Sequence, residues 1–218
     1  MFFIFGKKEN PVITVSQLSK IIKKGGIGII PTDTIYGIVG SAFSKKAVER
    51  IYLARKRDLK KPCIVLISSH KDLEKFGIKP SAEEVKIFKK MWPGPISIVF
   101  ETKLKKLSYL HRGTNSIAFR VPNNKYLLAL LKKSGPLIAP SANLAGQKPA
   151  KSASEALEIF GDQIDFYVDE GVVGKTKIST LVNIDLKRRE LHILRAGAFS
   201  KKEIQQTLPR DWRVVSGV

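Results

Sequence analysis

The apolar run Ile27-Gly28-Ile29-Ile30 stops at Pro31 and gives way at once to Thr32, Asp33, Thr34 and Tyr36. Four consecutive apolar residues have the length and composition of a buried strand. Proline has no N–H to give to a sheet ladder, so the strand is expected to break there. Hydroxyls, a carboxylate and the glycines Gly37 and Gly40 then follow the strand's end. In open α/β sheets ligands bind at such ends, and glycine lets backbone approach a ligand closely. A plainer reading stands beside this one, in which the stretch is a polar strand-to-helix loop leading to a helix over 45–56.

The rest of the chain repeats the theme. A helix is expected from Thr14 to Lys24, with Val15, Leu18, Ile21 and Ile22 on one face and Gly25 beyond its end. Ser44 is placed to cap the next helix, whose inner stripe is Ala47, Val48, Ile51 and Ala54. That helix runs into the basic loop Arg55 to Lys61, and Cys63 to Ile67 reads as a second buried strand. Strand, helix and strand within about forty residues suggest a parallel crossover. Ser81 with Glu84, Ser152 with Glu155 and Ser200 with Glu203 are capping-box patterns opening three further helices, and 126–133 is helical. Short strands are expected at 96–100, 116–121, 137–139, 166–169, 180–185 and 190–194, the last two as a hairpin. With no repeat or linker, one α/β domain over 1–218 is the simplest organisation.

Charge and residue counts exclude several classes. The net charge of +20 points either to a polyanionic partner such as RNA or to lysines spread over a solvated surface. No aromatic-basic alternation suited to base stacking accompanies it. No run of about 18 apolar residues exists, so no membrane span is expected. Phe2-Phe3-Ile4-Phe5 is too short for a signal-peptide core, and a cytoplasmic location is expected. The single cysteine, Cys63, reads as buried packing, and His70, His111 and His192 are scattered, so no protein ligand for a metal is expected. Walker, dinucleotide, GxSxG and HExxH motifs are absent; Gly174-Lys175-Thr176 lacks the upstream glycine of a P-loop.

Polar residues close the apolar runs at Thr32/Thr34, Arg120, Ser141/Asn143 and Arg195, and loops add Arg55/Arg57/Lys61 and Ser179/Thr180. Hydroxyls, an amide and several guanidinium groups suit a phosphate-bearing ligand beside a small polar one. Each residue also has a structural alternative as a turn former, a surface ion pair or part of a solvated loop.

Taken together, the motifs resemble the YrdC-type family, the threonylcarbamoyl-AMP synthases. The matching pieces, in the family's order, are PTDTIYGI at Pro31–Ile38, RKR and KKP within Arg55–Pro62, WPGPISIVF at Trp92–Phe100, SIAFRVP at Ser116–Pro122, APSANLAGQ at Ala139–Gln147, STLVNI at Ser179–Ile184 and LRAGAF at Leu194–Phe199. They span roughly residues 12 to 208, and the chain is similar to the short, single-domain members. The resemblance implies a twisted mixed parallel and antiparallel sheet with flanking helices around a basic concave groove. It implies synthesis of L-threonylcarbamoyladenylate and pyrophosphate from L-threonine, bicarbonate and ATP, with Mg²⁺ accompanying ATP. A separate protein complex then passes the carbamoyl group to an adenosine of tRNA. By motif, Thr34, Arg120, Ser179 and the backbone of Ala139 would contact threonine. Arg55, Arg57, Lys61, Ser116, Ser141, Asn143 and Arg195 would contact ATP.

This chain departs from the family's usual pattern at four places. The KxR lysine is Arg55, the following proline is Asp58, an asparagine is Lys61 and a histidine is Leu66. Asp58 is expected to bring a carboxylate near the phosphates. A non-catalytic RNA-binding paralogue of the same fold is the rival reading. A carbamoyl transferase domain ranks last, because such enzymes carry zinc-binding regions and no CxxC occurs here.

Overall fold

In the computed structural model, which describes residues 3–4, 13–172 and 177–216, the stretch around Pro31 is a hairpin, not a strand-to-helix loop. Strand β1 (Phe3–Ile4) and helix α1 (Val15–Lys23) precede β2 (Gly28–Pro31), and β3 (Tyr36–Ser41) returns antiparallel to β2 with Pro31 opposite Tyr36. Pro31 therefore does not cut the strand short. It is the last rung, where a missing N–H is tolerated. The turn is closed by Thr32, whose N–H and hydroxyl both donate to the Ile35 carbonyl, at 3.2 and 2.7 Å. Gly40 leaves β3 thin where α2 (Lys45–Ala54) packs on it: a Cβ there would crowd Ile27, Ile51 and Ala47 at 3.0–3.3 Å.

The remaining elements are β4 (Val65–Leu66), α3 (Ala82–Met91), β5 (Ile96–Glu101), α4 (Ser108–His111), β6 (Ser116–Arg120), α5 (Lys125–Ser134) and β7 (Leu137–Ile138). They are followed by α6 (Ala153–Phe160), β8 (Phe166–Asp169), β9 (Thr180–Asp185), β10 (Glu190–Arg195), α7 (Lys201–Thr207) and β11 (Arg213–Ser216). The strands form one mixed 11-stranded sheet in the order β1-β8-β2-β3-β7-β4-β6-β5-β9-β10-β11. The expected crossover is corrected in its first strand. β3 and β4 are each antiparallel to β7 between them, so β3, α2 and β4 make the parallel unit, while β2 runs the other way. The hairpin of β9 and β10 forms as expected.

The helix starts are written in the sequence. Thr14 with Gln17, Ser81 with Glu84 and Ser200 with Glu203 make reciprocal capping boxes, and the hydroxyls of Ser44 and Ser152 accept from Ala47 N–H and Glu155 N–H. Such caps each contribute about 1 kcal/mol.

Strand alternation creates the site. On β6, Ile117 and Phe119 are buried on one face, while Ser116, Ala118 and Arg120 look to the other. Phe119 joins Phe43, Phe76, Phe88 and Phe100 in a chain of ring contacts with centroids 4.8–6.0 Å apart. Phe43 is half exposed at the end of this chain, while Phe76, Phe88, Phe100 and Phe119 are buried, and burial of each of these four rings stabilises the fold by roughly 1.5–3 kcal/mol. That packing backs the central strands and leaves their opposite face to line a cavity. Among the described residues no helix is long and apolar enough to cross a membrane. Gly174-Lys175-Thr176 lies outside the described residues.

Candidate functional site

The cavity has a volume of about 350 Å³. Of the residues singled out from sequence, Thr34, Arg55, Arg57, Ser116, Arg120, Ala139, Ser141, Ser179 and Arg195 line it. Lys61 and Asn143 do not. Lys61 is exposed, and its carbonyl accepts from the Tyr52 hydroxyl at 2.9 Å and from Arg57 Nε at 3.2 Å. Asn143 is buried behind the wall.

Hydrogen bonds between motifs bring the site together. Ile38 N–H donates to the Pro140 carbonyl and Ala142 N–H to the Tyr36 carbonyl, both at 2.9 Å, so the two polar strand ends lie side by side. Arg55 ends α2 and turns inward to 2% exposure, which removes it from the solvated loop considered from sequence. Its Nε donates to the Asn143 carbonyl at 3.0 Å, and Nη2 to Ser141 Oγ at 3.1 Å and Asn143 Oδ1 at 3.2 Å. Asn143 Nδ2 in turn donates to the Leu144 and Gln147 carbonyls. The Asn143 amide is thus engaged in orienting Arg55 and in closing its own turn.

The loop after Arg55 folds onto itself. Arg57 Nη2 donates to the Pro62 carbonyl at 3.0 Å. Asp58 is exposed, and its carboxylate accepts from Lys60 N–H at 2.9 Å; it does not line the cavity. Asp58 therefore adds no negative charge to the described lining. A short exposed Asp bonds the backbone two residues on instead.

Arg120 collects three motifs. Its Nε donates to the Gly94 carbonyl at 3.1 Å, Nη1 to Thr34 Oγ1 at 2.9 Å, and Nη2 pairs with Asp33. The second Asp33 oxygen accepts from Asn123 N–H at 2.9 Å. At the far wall, Arg195 Nη2 donates to the Ser179 carbonyl at 2.9 Å. Gly197 permits this close crossing, because a Cβ there would collide with the Ile178 carbonyl and the Ser179–Thr180 peptide. Sequence reasoning missed Asp33 as the partner of Arg120, and Ser97, whose hydroxyl lies 3.0 Å from that of Ser179. A polar residue between Ile96 and Ile98 in a strand was the available signal for Ser97. Cys63 is buried as expected, but it also forms part of the cavity wall.

The lining carries charge of one sign, with Asp33 behind it as the partner of Arg120. None of the described lining residues is acidic. Burial, with the neighbouring Arg57 charge adding to it, pushes Arg55 down to about 10. Burial also pushes Arg195 down, with Arg57 and Arg120 contributing, so Arg195 feels the cations of both ends of the cavity. Among the described residues, Arg55 Nη1 and Arg195 Nε are buried without a hydrogen-bond partner. Buried cations without carboxylates are costly unless an anion joins them. The cavity is therefore suited to negatively charged oxygens, over an apolar floor of Leu66, Val99, Ala118 and Leu181.

Comparison with known proteins agrees with this fold. The Sua5/YciO/YrdC family, described as "Telomere recombination", matches residues 20–197. A threonylcarbamoyl-AMP synthase of Pyrococcus abyssi is 31% identical over 188 residues, which is 86% of this chain and 55% of that protein. The chain thus spans little more than half of that relative's length. A threonylcarbamoyl-AMP synthase of Pseudoalteromonas translucida is 30% identical over 172 residues, 77% of this chain and 91% of that protein. The crystal structure of P. abyssi Sua5 complexed with L-threonine superposes with a TM-score of 0.82 at 28% identity, covering 92% of this chain and 58% of that one. With its mixed sheet, its cationic cavity and a match over most of its length, the chain belongs to the Sua5/YciO/YrdC family.

Proposed function

We propose that this protein is an L-threonylcarbamoyladenylate synthase. Threonine, bicarbonate and ATP give threonylcarbamoyl-AMP, pyrophosphate and water. The observation that carries the reading is the convergence of Arg55, Arg57, Arg120 and Arg195 on one cavity whose described lining has no carboxylate. The names of the relatives, and the threonine in the P. abyssi structure, support the substrate pair.

The chemistry follows from charge. The threonine carboxylate is an anion suited to the Arg120 end, beside the hydroxyls of Thr34 and Ser179 and the backbone of Ala139. The triphosphate suits Arg55, Arg57 and Arg195, with Ser116 and Ser141 as hydroxyl neighbours. The threonine amine takes up the carbon of bicarbonate, releasing water, and becomes a carbamate. A carbamate oxygen attacks the α-phosphorus, and the bond to pyrophosphate breaks. Arg195, which feels both Arg57 and Arg120, is suited to the negative charge that develops between the two substrates. No side chain need form a covalent bond; proximity and fixed cations supply the acceleration.

Mg²⁺ would arrive with ATP. Among the described residues no cluster of His, Cys, Asp or Glu could hold a metal ion, and no described lining residue is a carboxylate, so these residues give it no seat of their own. The same proposal takes residues 1–218 as a single domain, acting in the cytoplasm and handing the adenylate to a transferase complex that works on tRNA. The net charge of +20 favours one alternative, an RNA-binding paralogue. Pyrophosphate release that requires threonine, bicarbonate and ATP together supports the synthase. Salt-sensitive RNA binding with no ATP binding selects the alternative.

A further inference from the structure

Ser97 lies within β5 and is fully buried. Its hydroxyl has one hydrogen-bond partner among the described residues, Ser179 Oγ at 3.0 Å. A hydroxyl carries one proton and two acceptor lone pairs. A buried donor left unpaired forfeits its hydration with nothing in return. Ser97 has a single acceptor within reach, so its proton points at Ser179.

Ser179 also faces Arg195, whose Nη2 lies 3.4 Å from Ser179 Oγ. A guanidinium only donates. Both lone pairs of the Ser179 hydroxyl are therefore taken by protein donors, one from Ser97 and one from Arg195. Among the described residues the Ser179 proton has no acceptor left in the wall, and Ser179 lines the cavity. The proton is directed inward. Thr34 also has a guanidinium behind its hydroxyl, since Arg120 Nη1 donates to Thr34 Oγ1 at 2.9 Å.

We infer that Ser97 is a positioning residue that makes Ser179 a one-way hydrogen-bond donor, so that the group seated against Ser179 is an oxygen acceptor of the amino-acid substrate, a carboxylate or carbamate oxygen, and not its ammonium. The inference rests on the synthase reading of the cavity and adds to it the direction in which the substrate lies. An amino acid with its ammonium against Ser179 would meet a proton instead of a lone pair.

The test is the steady-state kinetics of Ser97→Ala, Ser179→Ala and the double variant, with separate KM values for threonine and ATP and an unfolding temperature for each protein. Ser97→Ala removes an oxygen that is sealed from the cavity and vacates one lone pair of Ser179, whose proton is then free to turn away from the substrate. The expected result is a roughly five- to tenfold rise in the KM for threonine, the effect of one misdirected hydrogen bond, with the KM for ATP within about twofold. The double variant should lose no more threonine affinity than Ser179→Ala alone, since Ser97 acts only through Ser179. Ser97→Cys, a weaker donor of similar shape, should move threonine in the same direction by less, and it carries the test if the alanine variant does not fold. Equal changes in both KM values, an unchanged threonine KM in a folded variant, or additive losses in the double variant would overturn the inference. A wild-type protein that releases no threonine-dependent pyrophosphate would instead overturn the synthase reading itself, before any variant is compared.

Discussion

Asp33→Asn should be among the most destabilising single changes in the site, although Asp33 itself does not line the cavity. The side chains of Arg120 and Asp33 are 5% and 9% exposed, and one carboxylate oxygen pairs with Arg120 Nη2 while the other accepts from Asn123 N–H. An asparagine amide has one acceptor oxygen, so it satisfies one of these donors and turns its NH₂ toward the other. Arg120 is then left without its countercharge in a cavity that already holds Arg57 and Arg195. Removing one partner of a buried ion pair costs about 3–5 kcal/mol. For a chain of this size that corresponds to a fall in unfolding temperature of roughly 6–20 °C. Calorimetry at fixed pH and salt measures it. Arg120→Met combined with Asp33→Asn should lose at least about 1 kcal/mol less than the two single changes added together, because the second change removes the charge the first left unpaired. A loss under about 1 kcal/mol for Asp33→Asn, or strict additivity, would refute the claim that this pair fixes Arg120.

Three further outcomes are expected. Arg57→Ala should weaken ATP by about 10- to 100-fold, the range for a lost charge-assisted hydrogen bond, and leave threonine within about twofold by calorimetric titration. Asn143→Ala should also weaken ATP in the same titration, by about tenfold, although Asn143 does not line the cavity, because its amide oxygen orients Arg55. Burial works to raise the Asp165 carboxyl, but hydrogen bonds from Arg50 and from Ile27 N–H, with the Arg50 charge, hold it below its ordinary 3.8. Its folded pKa is the lower one, so this pairing stabilises the fold above about pH 4 and is lost as pH falls further; Asp165→Asn should flatten that part of an acid-unfolding curve.

Local chemistry made much of the fold legible. Capping residues such as Ser44, Ser81 and Ser200 and the short apolar runs marked helices and strands to within a residue or two. The hairpin at Pro31 was not legible, because β3 carries Gly37 and Gly40 and reads as a loop until α2 is known to pack against it. Strand order was equally hidden: β7, a strand of Leu137 and Ile138 alone, sits between β3 and β4 and decides which strands are parallel. In the site, residues that end apolar runs could be named, since burial and polarity conflict there. The partners behind them could not. Asp33 comes to Arg120 from 87 positions away, and Ser97 to Ser179 from 82. Asn143 shows the reverse limit, for a polar residue within a motif can serve a neighbouring arginine and its own turn instead of lining the cavity.

The most direct measurement is calorimetric titration of threonine into the protein with and without a non-hydrolysable ATP analogue. Simultaneous one-to-one binding of both, with the analogue tightening threonine and threonine tightening the analogue by the same factor, is the predicted result. Mutual exclusion of the two ligands, or threonine binding that ignores the analogue at every concentration, would contradict the account.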